Sequence, residues 1–249
     1  MAAGFAYMQP DELFTLDATV GGTAVATDYE QGWLVDGRAG RPVRGVGGGL
    51  SLTITGAAKM CSGVVLAHSN LTVAGTVGGD VSAALTPTTR ANGITLNPWD
   101  EFTETSVDSL TFVVTGNPVD PVVGELFVGK LRRLARNLHR GQNVWGHQRY
   151  AIDPQAEFSS QNPYDRGLEG RRLRGSNLYA PSDFDAIEAM VLSTRDGSRP
   201  LVIIPDDDDP TDAWVVKVVG FEWRRVPTSG GDIWYEVVLA FDEVPRHRW

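Results

Sequence analysis

The change of texture at Glu125-Leu126-Phe127-Val128-Gly129-Lys130 constrains this chain most: short β-branched runs before it give way to an arginine-rich stretch after it. Before the change, Ser51–Thr55, Gly63–Ala67, Leu71–Gly75 and Leu110–Thr115 are apolar runs of about five residues, rich in Val, Ile, Leu and Thr. Gly47-Gly48-Gly49, Gly78-Gly79 and Asn92-Gly93 punctuate them. Strict alternation in the first and last runs buries one face and leaves the other in water. No helical period competes with it. The spacing predicts an antiparallel β-sandwich of jelly-roll type over residues 1–129.

Beyond it, residues 130–175 carry Lys130, Arg132, Arg133, Arg136, Arg140, Arg149, Arg166, Arg171, Arg172 and Arg174 and are expected to be a basic, extended linker. Residues 176–249 then predict an α+β module. Its helix spans about 183–195, with Ser182 as cap, Asp185 completing a capping box and Gly197 as stop. Phe184, Ile187, Met190 and Val191 recur at helical spacing, so one face packs on something apolar. The surface available is an antiparallel sheet of Pro200–Ile204, Ala213–Val219 and Ile233–Phe241, with turns at 206–212 and 227–232. The expected fold class is thus mainly β: a sandwich followed by one helix on a sheet.

Composition narrows function by exclusion. A net charge of −9 argues against binding nucleic acid through the fold as a whole. The longest apolar stretches fall far short of the roughly 20 residues that span a bilayer, and Met1–Phe5 does not have the charged, then apolar, pattern of a signal region; no membrane insertion and synthesis in the cytoplasm are expected. A single cysteine, Cys61, permits no intrachain disulfide. His68, His139, His147 and His247 have no metal-ligand spacing, no Gly-x-Ser-x-Gly elbow is present, and Gly45–Gly49 matches no phosphate-binding loop. Asp206–Asp209 do not have the alternation of a calcium loop and suit a solvated hairpin tip. No catalytic residue, metal or cofactor is expected.

What remains suits binding and assembly. The basic set Lys130, Arg132, Arg133, Arg136, Arg140, Arg171, Arg172 and Arg174, with the cationic, aromatic tail ending in Trp249, is a candidate contact between subunits; solvated loops are the alternative. Trp33 and Trp99, set among Gly, Asn, Pro and Asp, are candidate glycan contacts; packing against a sheet is the alternative for both.

The order of elements adds a resemblance. The stretch Gly32–Arg44, then Leu66-Ala67-His68-Ser69-Asn70-Leu71 and Gly124–Gly129, resembles the N-terminal part of tailed-phage minor tail proteins, whose domains are similar to discoidin-like, galactose-binding jelly-rolls. The Asp-Phe helix and Pro200-Leu201-Val202-Ile203-Ile204-Pro205-Asp206 resemble tail-tip structural proteins of such phages. These motifs encode strand ends and turns. The resemblance therefore implies a role and no site: a virion structural component of the tail tip or baseplate, forming a symmetric oligomer with itself and meeting other tail proteins. A carbohydrate-binding module for a host-surface glycan is the rival.

Overall fold

The structure, a computed structural model, describes residues 5–23, 25–36, 42–89, 95–134, 144–149, 169–194, 199–205, 213–227 and 230–244, with the backbone alone at 144–149 and 169–171. Among these residues it is mainly β, as expected. The strands are β1 (Ala6–Met8), β2 (Thr19–Thr23), β3 (Val43–Arg44), β4 (Leu50–Ser69), β5 (Gly75–Gly79), β6 (Ala83–Leu85), β7 (Trp99–Val114), β8 (Val122–Gly129), β9 (Arg132–Arg133), β10 (Val144–Arg149), β11 (Glu169–Tyr179), β12 (Leu201–Ile204), β13 (Trp214–Pro227) and β14 (Ile233–Glu243). One helix, α1 (Pro181–Ser193), lies between β11 and β12.

The first sheet runs β3-β8-β4-β7-β5-β6, with β2 also on β4, all antiparallel. The expected runs at 51–55 and 63–67 are one strand, β4. Register shifts at Thr55/Lys59 and Cys61/Gly63 bend it, so its first half pairs with β2 and its second with β8, while β7 follows its other edge. The bend folds the sheet over a core that includes Leu52, Ile54, Val64, Leu66, Leu110, Phe112 and Leu126, all fully buried. The run 71–75 is different: only Gly75 enters a strand, because Asn117 Oδ1 accepts the Thr72 amide at 3.0 Å, where a neighbouring strand would have to bond. Gly47 and Gly48, at φ of 61° and 74°, close a two-residue hairpin in which Val46 and Gly49 exchange both backbone bonds at 3.1 Å.

The second sheet runs β10-β11-β14-β13-β12-β1-β9 and takes strands from each of the blocks 1–129, 130–175 and 176–249. Ala6–Met8 pairs with Ile204–Val202 on one side and, through Ala6 and Tyr7, with Arg133 and Arg132 on the other. The stretch expected to be a linker contributes β9, β10 and most of β11. A three-residue strand has no stability of its own, and burial on both faces holds β1 here. Phe5 and Tyr7 enter the core under the helix, whereas Ala6 and Met8 enter a second core against the sandwich.

That second core joins the layers. Val65, Ala67 and Phe127 of the first sheet meet Met8, Val202, Ile204 and Val215 of the other, so β8 and the end of β4 are buried on both faces. On the far side of the second sheet, α1 presents Phe184, Ile187 and Met190, as its period predicts. Phe184 stacks on Tyr235 with centroids 4.1 Å apart and meets Trp223 edge-on. The helix starts at Pro181, before the expected Ser182 cap. Ala180 is the cap residue, without a side-chain bond, and the preset φ of proline suits the first helical position. Ser193 and Thr194 bond back to the carbonyls of Met190 and Val191 at its end, and the expected stop at Gly197 lies outside the described residues.

Candidate functional site

Trp33 sits in a turn of 3-10 helix, Gln31–Val35, that is anchored because Leu34 and Val35 enter the sandwich core. Its ring, half-buried, meets Tyr29 edge-on with centroids 6.1 Å apart. Arg44 of β3, about half exposed, is held above its ordinary pKa by hydrogen bonds first to the Tyr29 side chain and then to Asp120. Asp120 accepts from Arg44 Nη2 at 3.1 Å and, through its other oxygen, from the Gly47 amide at 2.9 Å. Two aromatic rings, a guanidinium and a carboxylate thus form one patch on the sandwich surface. Amphipathic rings beside charged donors and acceptors suit a ligand with an apolar face and hydroxyl edges.

Trp99 lies elsewhere. It opens β7 opposite Val65 and packs into the core between the two sheets, where its indole Nε1 is buried without a hydrogen-bond partner. Trp33 packs on the sandwich core, at the other face of the same sheet, so the two tryptophans do not share a site.

Of the five basic side chains of the set that are described, four are engaged within the chain. Lys130 donates to Glu104 at 2.9 Å, and Arg133 donates to both oxygens of Glu101 at 2.8 and 2.6 Å. Arg132 binds Glu12 through two nitrogens, which holds its pKa up. Glu101 and Glu104 belong to β7 of the sandwich, so these pairs staple it to the edge of the second sheet. Arg172 forks onto Asp242 at 2.6 and 2.9 Å, whereas Arg174 is exposed and has no ion pair among the described residues. Arg136, Arg140 and Trp249 lie outside the described residues, and Arg171 is described by backbone only.

The expectation from sequence did not include Asn97. Fully buried, it accepts from the His68 amide through Oδ1 and donates from Nδ2 to the Ala213 carbonyl, both at 2.9 Å, while its own carbonyl accepts the Ala213 amide at 2.8 Å. It ties β4, where His68 adopts a left-handed φ of 55°, to the start of β13. Its one signal is the Asn-Pro dipeptide ahead of a strand. Among the described residues, no three His, Cys, Asp or Glu side chains converge as a metal site, and no helix is long and apolar enough to cross a membrane. Asp206–Asp209, His139 and His247 lie outside the described residues.

Among the described residues, none covers the face of β11, β14 and β13 turned away from α1 beyond the sandwich. Two adjoining depressions of about 280 and 270 Å³ lie along it, sharing Glu222 and Val238.

No family model and no curated protein matches the sequence. Solved structures similar in part are carbohydrate-binding modules and glycosidase chains. The family 32 module of C. perfringens NanJ, in complex with galactose, is 12% identical, with 49% of this chain and 98% of that one covered at a TM-score of 0.38. Chitosan-binding module 2 of the Paenibacillus sp. IK-5 chitosanase/glucanase, in complex with chitotriose, is 17% identical over 46% and 98% at 0.36. SpGH29 is 17% identical over 49% of this chain at 0.40, and the likeness spans 28% of that protein. A likeness this partial assigns neither sugar binding nor catalysis to this chain.

Proposed function

We propose that this chain is a non-enzymatic binding protein whose sandwich holds a carbohydrate at the Tyr29, Trp33, Arg44 and Asp120 patch. The observation that carries this reading is the aromatic pair joined to an exposed Arg–Asp pair. A sugar ring would lay its apolar face on the rings and direct its hydroxyls to the guanidinium and carboxylate. The full chain is applied to a glycan array, with Trp33→Ala and Arg44→Ala alongside. Retention of a defined set of glycans, weakened about tenfold or more by either substitution, supports the site. The Arg44 side chain is 46% exposed, and an unchanged melting temperature of its variant separates lost binding from lost folding. No retained glycan, or binding indifferent to both substitutions, overturns the reading.

A second reading, the tail-tip structural component implied by the resemblance, is favoured by the face of the second sheet that the described residues leave open. Mass spectrometry of purified phage particles tests it: the chain in stoichiometric amount in tails supports a virion role, and its absence from particles refutes one.

A further inference from the structure

Among the described residues of the sandwich, the large apolar side chains left in solvent are Val46, Met60 and Val119. Met60 lies on β4, whereas Val46 and Val119, 44% and 57% exposed, both border the Arg44–Asp120 pair. The chain from Val43 to Val46 is extended, with Gly45 bridging to Val25 and Val46 to Gly49. Arg44 and Val46 therefore project to one face, about 7 Å apart, while Val43 enters the core. Val119 directly precedes Asp120 in a turn fixed by Asn117, whose Nδ2 donates to the Val119 carbonyl at 2.9 Å and whose amide donates to the Gly48 carbonyl at 3.0 Å. The bond from the Gly47 amide to Asp120 holds this turn against the hairpin that carries Val46. The aromatic rings lie on the other side of Arg44. Ala26 donates to the Arg44 carbonyl at 2.9 Å and Val25 bridges antiparallel to Gly45, so the chain beyond Ala26, which carries Tyr29 and Trp33, leaves toward the start of β3, and Val46 lies toward the hairpin.

We propose that the glycan held at this patch carries a methyl substituent, the acetamido methyl or the 6-deoxy methyl of a sugar, and that Val46 and Val119 form the subsite for it. This inference rests on the carbohydrate reading and narrows its ligand. The rings take the apolar face of a sugar, and Arg44 and Asp120 take hydroxyls. The valine side chains offer no hydrogen bond, so a hydroxyl pressed against them loses water without gaining a partner, whereas a methyl group gains by leaving water. A methyl group is the apolar substituent that sugars commonly bring. Its burial against the two isopropyl groups raises affinity about threefold to tenfold. Both valines stand on loops pinned by backbone hydrogen bonds, so the subsite exists before the ligand arrives and little ordering cost opposes that gain.

The full chain on the glycan array gives the first result: the retained set carries N-acetyl or 6-deoxy sugars. Titration calorimetry then compares the best retained glycan with a counterpart that differs only at the methyl group, N-formyl in place of N-acetyl or 6-hydroxy in place of 6-deoxy. The chain should prefer the methyl-bearing form about threefold to tenfold, and the pair that shows the preference identifies which methyl the valines hold. The variant carrying Val46→Thr and Val119→Thr, close in shape but with a hydroxyl at each position, should bind the two forms within about twofold of each other. Its affinity for the counterpart and its melting temperature should stay as they were, which a general loss of the fold would not allow. A retained set without methyl-bearing sugars, a chain that binds both forms equally, or a preference that survives the double substitution overturns this proposal and leaves the carbohydrate reading standing. No retained glycan at all overturns both.

Discussion

Replacing Asn97 with Ala should detach the two sheets locally at a cost far out of proportion to the atoms removed. The side chain bonds to the His68 amide and the Ala213 carbonyl, each bond 2.9 Å long in a site with no solvent exposure. Loss of a partner at a buried polar group costs about 1–3 kcal/mol, so the two together amount to roughly 2–6 kcal/mol, set against a total stability of about 5–15 kcal/mol for a typical domain. Asn97→Asp preserves an acceptor for the His68 amide but turns an oxygen toward the Ala213 carbonyl, and should be no better than Ala. Guanidinium unfolding followed by far-ultraviolet circular dichroism and by tryptophan fluorescence measures the change. Trp99 lies at this junction and reports on it. A loss below about 0.5 kcal/mol for Asn97→Ala would refute the argument that this residue joins the layers, since that is the range of surface substitutions.

The remaining expectations concern titration. Burial, the largest cause, pushes the Cys61 thiol up to about 11, so at pH 8 only about one molecule in a thousand carries the thiolate. The native chain should therefore react with a thiol reagent only as fast as it opens, and rapid complete labelling at pH 8 without denaturant would contradict the burial argument. Asp80 is held below the usual carboxylate range, first by the Asp108 amide and then by the Ser109 amide, both at 2.9 Å. Its folded-state pKa is depressed, so its contribution is fully present above about pH 4 and is lost as pH falls through the folded value. The stability advantage over Asp80→Asn should shrink in acid, and an advantage that grows in acid would reverse the assignment.

The local periods carried the fold class. Alternation at 51–55 and 110–115 located parts of β4 and β7, and Phe184, Ile187 and Met190 marked the buried face of α1, because period and burial are properties of neighbouring residues. Gly47-Gly48-Gly49 was legible only as a break between runs; that Gly47 and Gly48 close a hairpin follows from their left-handed φ, which glycine enters without a Cβ penalty. Charge was legible as composition and not as partnership. Lys130, Arg132 and Arg133 read as a free basic row, yet their carboxylates come from Glu104, Glu12 and Glu101, distant in sequence and adjacent only after β7 and the first turn of the chain meet β9.

By itself the sequence determined parts of β4, β7, β12, β13 and β14 and which face of the helix is buried. Only the tertiary structure decided that Ala6–Met8 belongs with strands some two hundred residues on, that Trp99 is wedged between sheets while Trp33 reaches the surface, and that Asn97 bonds to Ala213. The physical reason is that strand pairing and layer packing are long-range contacts. A strand's pattern states which face must be covered, and the rest of the chain decides what covers it.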